Sequence, residues 1–176
     1  METTRFGKIE VEDQEMINLP QGLVGFPELK KYILLNHDQE SPFKWLQSLD
    51  DGAIAFVIIN PLLFRPDYAV EVSESEISEL EIKSEEDAVI SVIVTMPSNP
   101  QNMTANLKAP LVFNLQNRRG KQIILSNSSY ATKHNIMDEL KEFTKKQQQQ
   151  QQQQQVENTK ASIKAAPSET TAESKA

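Results

Sequence analysis

The chain has 176 residues, no cysteine and a formal net charge of −7, which excludes a disulfide framework, a thiol nucleophile and any cysteine-based metal site. The charge is uneven: up to Phe143 there are 22 acidic and 13 basic residues, net −9, and beyond it 3 acidic and 5 basic, net +2. An acidic domain of this kind repels a phosphate backbone and draws basic protein surfaces toward it, so direct nucleic-acid binding is disfavoured.

The start, Met1-Glu2-Thr3-Thr4-Arg5-Phe6, lacks the basic-then-apolar pattern of a signal peptide, and no apolar run approaches the roughly 20 residues of a membrane span. A soluble, cytoplasmic protein is the expectation. Short apolar segments then recur with period two or as brief runs, which favours strands. Strands are predicted at Thr3–Phe6, Lys8–Val11, Met16–Leu19, Tyr32–Asn36, Trp45–Ser48, Ala55–Ile59, Ala69–Val72, Ala88–Met96, Leu111–Asn114 and Gln122–Leu125. Gly22, Gly25 with Pro27, and Asp50-Asp51-Gly52 punctuate them as turns, and Asn117–Gly120 reads as the hairpin joining the last two.

So many short strands predict a mainly β fold, a small antiparallel barrel or sandwich with one or two short helices. In the clearest strand Ile90, Val92, Val94 and Met96 share one face, opposite Ser91 and Thr95. One short helix is predicted over Glu74–Leu80, capped by Ser73, and a longer one carries Ile136, Leu140 and Phe143 at i, i+4, i+7, with His134 at its start. Residues 1–143 suit one compact domain. Residues 144–176, with nine glutamines from Gln147 to Gln155, have no apolar face to pack and read as a disordered low-complexity tail.

Chemistry finds little to work with. His37 and His134 are the only histidines, and each reads as a solvated turn or helix-end residue. No nucleophile elbow, phosphate loop or His-x-x-x-His pair is present, so hydrolase, nucleotide-binding and zinc-protease readings lack their parts. Glu71, Glu74, Glu76, Glu79, Glu81, Glu85, Glu86 and Asp87 are offset only by Lys83. They lack the Asp-x-Asp-x-Asp-Gly loop that wraps calcium, and they read as a charged surface. No catalytic, cofactor or metal residue is assigned.

The block from Ser41 to Tyr68 gathers the only tryptophan, three phenylalanines and three prolines. Phe56 and Val57-Ile58-Ile59 read as core, and Trp45 as an inward strand residue. Phe43 and Phe64, in proline-bounded loops, are the candidate exposed recognition residues, although core packing competes for both. Two rival readings stay open: a small barrel enzyme using His37 with nearby carboxylates, and a small-ligand-binding barrel with Trp45 and Phe56 lining a cavity.

Gly22-Leu23-Val24-Gly25-Phe26-Pro27, then Pro42-Phe43-Lys44-Trp45-Leu46-Gln47-Ser48, Asn60-Pro61, Pro66-Asp67-Tyr68 and Asn106-Leu107-Lys108-Ala109-Pro110-Leu111-Val112 with Asn114 and Tyr130 resemble the flagellar assembly factor FliW family, in order from about Thr3 to Leu140. The resemblance implies a strand-rich barrel of the bacterial cytoplasm without enzymatic activity, monomeric when unbound. It implies two partners: newly made flagellin, and the RNA-binding translational repressor CsrA, whose capture would tie flagellin synthesis to export. Steering of a basic CsrA toward Glu71, Glu74 and Glu76 is the electrostatic expectation. Flagellin's amphipathic helical termini would instead lie in an apolar groove. The polyglutamine end lies past the region of resemblance, and Arg118-Arg119 read as a solvated hairpin tip.

Overall fold

A computed structural model describes residues 1–36, 38, 40–126, 129–146, 148 and 149. The chain forms two compact units, residues 1–139 and 140–176. Within the first, seven strands close on themselves: β3 (Ile17–Asn18), β4 (Lys31–Leu35), β5 (Lys44–Ser48), β6 (Ala55–Ile59), β7 (Ala88–Thr95), β9 (Leu111–Asn114) and β10 (Arg119–Gln122). All neighbours are antiparallel except β10 and β3, which meet in parallel at Arg119 and Asn18 and seal the ring. The fold is therefore a barrel and not a sandwich.

The barrel interior follows from the period-two rule. Cross-strand partners Ile17 and Tyr32, Leu34 and Leu46, Leu46 and Phe56, and Ile58 and Ile93 share the inner face. Ile17, Leu19, Leu23, Tyr32, Leu46, Ile58, Leu111 and Phe113 form one buried cluster. Gly120 faces Phe113 across the β9–β10 pair. A Cβ there would come within 2.6 Å of the Phe113 ring, so glycine makes room for the largest inward side chain of β9.

The long strand β7 explains how a second layer is added. Its first half, Ala88–Ser91, pairs with β9, and beyond the end of β9 the same edge pairs with β8 (Thr104–Ala105), which in turn pairs with β11 (His134–Asn135). Val92 and Val94, cross-strand from Ile59 and Val57, point away from the barrel interior yet are buried. The predicted dry face of this strand is thus its outer face, covered from outside, while Met96 at its end is exposed. Phe64, Tyr68, Leu107 and Ile136 are buried outside the barrel's inner cluster, and the Tyr68 hydroxyl donates to the Leu107 carbonyl at 2.8 Å.

Several predicted elements take other forms. Thr3–Phe6 and Lys8–Val11 shrink to a tight hairpin of β1 (Glu2–Thr3) and β2 (Gly7–Lys8), because the Thr3 hydroxyl donates to the Gly7 carbonyl and accepts from the Phe6 N–H, folding the chain back at once. Ala69–Val72 belongs to no strand: its Ala69 N–H is taken by the Tyr130 hydroxyl at 3.3 Å. The last hairpin turns at residues 115–118, and β10 begins at Arg119 in place of Gln122. Asn114 enforces this shift, since its side-chain oxygen accepts from the Gln116 N–H at 2.7 Å and its carbonyl from the Arg118 N–H at 3.0 Å.

Helix α1 (Glu74–Leu80) forms as predicted. The second helix starts at residue 136, after His134 has been used in β11. Asn135 caps it through the Asp138 N–H at 3.1 Å. In the second unit residues 140–146, 148 and 149 are helical. Gln147, residues 150–176 and their predicted disorder lie outside the described residues, as does His37 with the enzyme reading built on it.

Candidate functional site

Three sequence-predicted residues come together on one side of the barrel. Ser73 sits at the start of α1, and its N–H and hydroxyl both reach Glu76 Oε2, at 3.0 and 2.8 Å. This is a capping arrangement, so Glu76 serves the helix start. The Glu76 carboxyl is held below the usual carboxylate range first by the Ser73 hydroxyl, then by the Ser73 N–H and the charge of Lys121, with partial burial opposing. Glu71 and Glu74 are exposed.

At its other end α1 is tied to the barrel. Glu81 follows the helix with φ of 56°, a left-handed stop. Buried Asn114 donates to the carbonyls of Leu80 and Glu81 at 2.9 and 3.1 Å, and Asn117 donates to Leu80 at 3.1 Å. These bonds satisfy the last carbonyls of the helix. Arg119 pairs with Glu81 and Lys121 with Glu79, both at 2.7 Å. Two strand cations thereby neutralise the carboxylates at the C-terminal end of α1, and the surplus charge of the acidic run stays at Glu71 and Glu74 and in the segment before β7. Arg119 is thus a helix-end partner, and of the predicted basic pair Arg118 is the exposed hairpin tip, without an ion pair among the described residues.

Between the 69–73 segment and residues 123–126 lies a groove of about 550 Å³, lined by Ala69, Glu71, Ser73, Glu76, Ile124 and Tyr130 among others. Ile124 is 63% exposed and supplies its apolar part. The groove is acidic at its helix end, and opposite it Ile124 stands among Ser126, Ser129 and Tyr130. The sequence reading missed it because Ile124 was placed inside a strand, where alternation assigns it no distinctive role.

A polar cluster closes the far side of Tyr130. Arg65 binds Asp67 at 2.7 Å and Glu139 at 2.9 Å, and Glu139 also meets His134 Nδ1 at 2.9 Å. Burial opposes the Arg65 charge, but the hydrogen bonds it donates to Asp67 and Glu139 outweigh this and raise its pKa. His134 Nε2 accepts the Ala131 N–H at 2.8 Å, which places the ring proton on Nδ1, donated to Glu139. His134 is a structural joint here, and not the solvated helix-end residue predicted.

The aromatic candidates separate. Phe64 is 1% exposed, so it is core and makes no surface contact; the neighbours that stay out are Leu62 and Leu63. The Asn60 side chain caps the Leu62 N–H and Phe64 closes the resulting 3-10 turn, which turns its ring inward. Phe43 is half-buried beside exposed Pro42. Trp45 points outward, since its neighbour Leu46 takes the inner face. It stacks edge-on with Phe6 at 5.6 Å beneath the Arg5 guanidinium. Phe56 packs on the inner cluster and against Phe26 at 5.3 Å. The two residues therefore lie on opposite faces of the sheet and line no common cavity, which removes the ligand-barrel reading in the form predicted.

Among the described residues no group of three or more His, Asp or Glu gathers as metal ligands, and no helix is long and apolar enough to cross a membrane. The closed barrel has the fold of a flagellar assembly factor: a crystal structure described as that of the flagellar assembly factor FliW matches with a TM-score of 0.73 at 38% identity, over 77% of this chain and 95% of that one. The chain belongs to the FliW family, whose model, described as FliW protein, matches residues 1–136. It is 46% identical over 143 residues to the flagellar assembly factor FliW of Alkaliphilus metalliredigens, covering 81% of this chain and 88% of that protein. To the same factor of Syntrophus aciditrophicus it is 44% identical over 135 residues, covering 77% and 85%.

Proposed function

We propose that this protein is a non-enzymatic, cytoplasmic adaptor that binds flagellin and antagonises the translational repressor CsrA, so that flagellin synthesis follows export. The carrying observation is the groove between residues 69–73 and 123–126, where exposed Glu71 stands opposite exposed Ile124 on a barrel of the flagellar assembly factor family. Such a surface suits a basic protein: charge sets the encounter rate and the apolar contact sets the lifetime. Of the partner contacts expected from sequence, Glu71 lines this groove and Glu74 is exposed on the helix that begins beside it, Phe43 stays at its half-buried position, and Phe64 and Glu76 are occupied by core packing and capping.

The test is a competition pull-down with purified CsrA and flagellin, using the whole chain. Reversing Glu71 and Glu74 to lysine should slow CsrA association at least tenfold and flatten its salt dependence, and Ile124→Asp should speed dissociation. Failure of the chain to retain either protein at micromolar concentration would overturn the reading.

A further inference from the structure

A second cavity, of about 250 Å³, opens at one end of the barrel and has the opposite charge. Its walls include Ile17, Ile58, Val89 and Phe113, and among the described residues its only charged lining residues are Lys44 and Arg118. The void has a sequence cause. Ser91 and Lys44 occupy inward register positions, cross-strand from Leu111 and Ile58. A serine leaves the barrel end underfilled, and a lysine cannot bury its ammonium and must carry it to the mouth. Neither Lys44 nor Arg118 forms an ion pair among the described residues, although the chain as a whole is net −7. Arg118 is held at the tip with φ of 57° by its N–H to Asn114, so its side chain is presented by a fixed turn. Around the opening Leu63 is 54% and Leu115 47% exposed.

We infer that this barrel mouth binds an apolar anchor side chain carried on an acidic polypeptide segment, leucine-sized in the cavity and with carboxylates beside it for Lys44 and Arg118. The volume lies below the roughly 300–1,000 Å³ of drug-sized ligand sites and matches a side chain. The exposed leucines continue the apolar contact beyond the cavity, as the rim of a side-chain pocket does in protein interfaces. Charge decides the partner: an acidic segment is attracted to the two cations, and a basic one is repelled. The site is separate from the acidic groove and stands independently of the partner reading given for it.

The experiment uses the full ¹⁵N-labelled chain and three synthetic peptides: an acidic one with two central leucines flanked by glutamates, its lysine-flanked counterpart, and the acidic peptide with alanine for leucine. Amide shifts under the acidic peptide should cluster at Ile58, Val89, Phe113 and Leu115, and the other two peptides should bind at least tenfold more weakly. The double variant Lys44→Glu with Arg118→Glu should weaken acidic-peptide binding at least tenfold while sparing the fold. Ser91→Val, which fills the void, should weaken it without altering charge. Binding of the lysine-flanked peptide as tight as the acidic one, shifts centred elsewhere, equal displacement by octanoate alone, or no binding at millimolar peptide would overturn the assignment.

Discussion

The wall of the barrel and the flank that carries the acidic groove are built from similar extended chain, but they are held in different ways. In the wall, β4, β5 and β6 pair residue for residue and point Tyr32, Leu46 and Ile58 into one buried cluster. In the flank, residues 69–73 and 123–126 belong to no strand and are held by fewer, one-way bonds: the Ala69 N–H donates to the Tyr130 hydroxyl, and the Ile123 and Leu125 N–H groups donate to the Pro110 and Lys108 carbonyls past the end of the β9–β10 ladder. Extended chain outside the ladder can leave a groove between segments and keep an isoleucine exposed. The rigid wall fixes position, and the flank offers surface.

That contrast can be broken from the wall side first. Leu46→Ala should cost about 2–5 kcal/mol, because a cavity opens among closely packed neighbours, and urea denaturation would read it directly. A loss below about 1 kcal/mol would mean that the inner cluster does not carry the fold.

Asn114→Ala tests the tie between the two regions. It removes a buried side chain that serves two helix-end carbonyls and two turn N–H groups, so about 2–3 kcal/mol is expected. Amide exchange should rise in α1 and in the turn at residues 115–118 before it rises in β5. Uniform change across the barrel would show that the tie is not local.

Glu76→Gln sharpens the flank alone. Loss of the charged capping partner should cost about 0.5–1 kcal/mol near neutral pH. Because the folded carboxyl is more acidic than the unfolded one, its stabilisation is present above the usual carboxylate range and disappears as pH falls through the lowered folded value. Urea curves of the wild-type chain and the variant should differ at pH 7 and converge as the pH falls below the usual carboxylate range. A gap that persists in acid would rule out the ionised cap.

The smallest effect belongs to Tyr32→Phe. The Tyr32 hydroxyl is buried without a partner among the described residues, and burial, then Asp50, pushes its pKa up to about 12. Removing it should change stability by no more than about 1 kcal/mol, in the stabilising direction. A clear destabilisation in thermal melts would reveal a hydrogen bond to an internal water.

Much of the barrel was legible in the chain because its inner residues obey a local rule. Brief apolar runs pick out Tyr32 to Leu35 and Ala55 to Ile59 without reference to anything distant, and the Ser73 cap marks α1. The site was less legible. Glu71 and Glu74 stand out as charge, but the pairing that silences Glu79 and Glu81 spans roughly forty residues, and no local pattern announces Arg119 or Lys121 as their partners. Phe43 and Phe64 look alike in sequence, and only the 3-10 turn set by Asn60 sends one ring inward.

The amino-acid order by itself determined the strand-rich class, the inward faces and the capped acidic helix, since each depends on residues within a turn or a strand of one another. Tertiary closure alone decided which carboxylates keep their charge unpaired, that Ile124 flanks a groove, and that Lys44 stands at the mouth of a cavity. The reason is physical: backbone periodicity is encoded over a few residues, whereas ion pairing and exposure depend on which distant segments the closed sheet brings together.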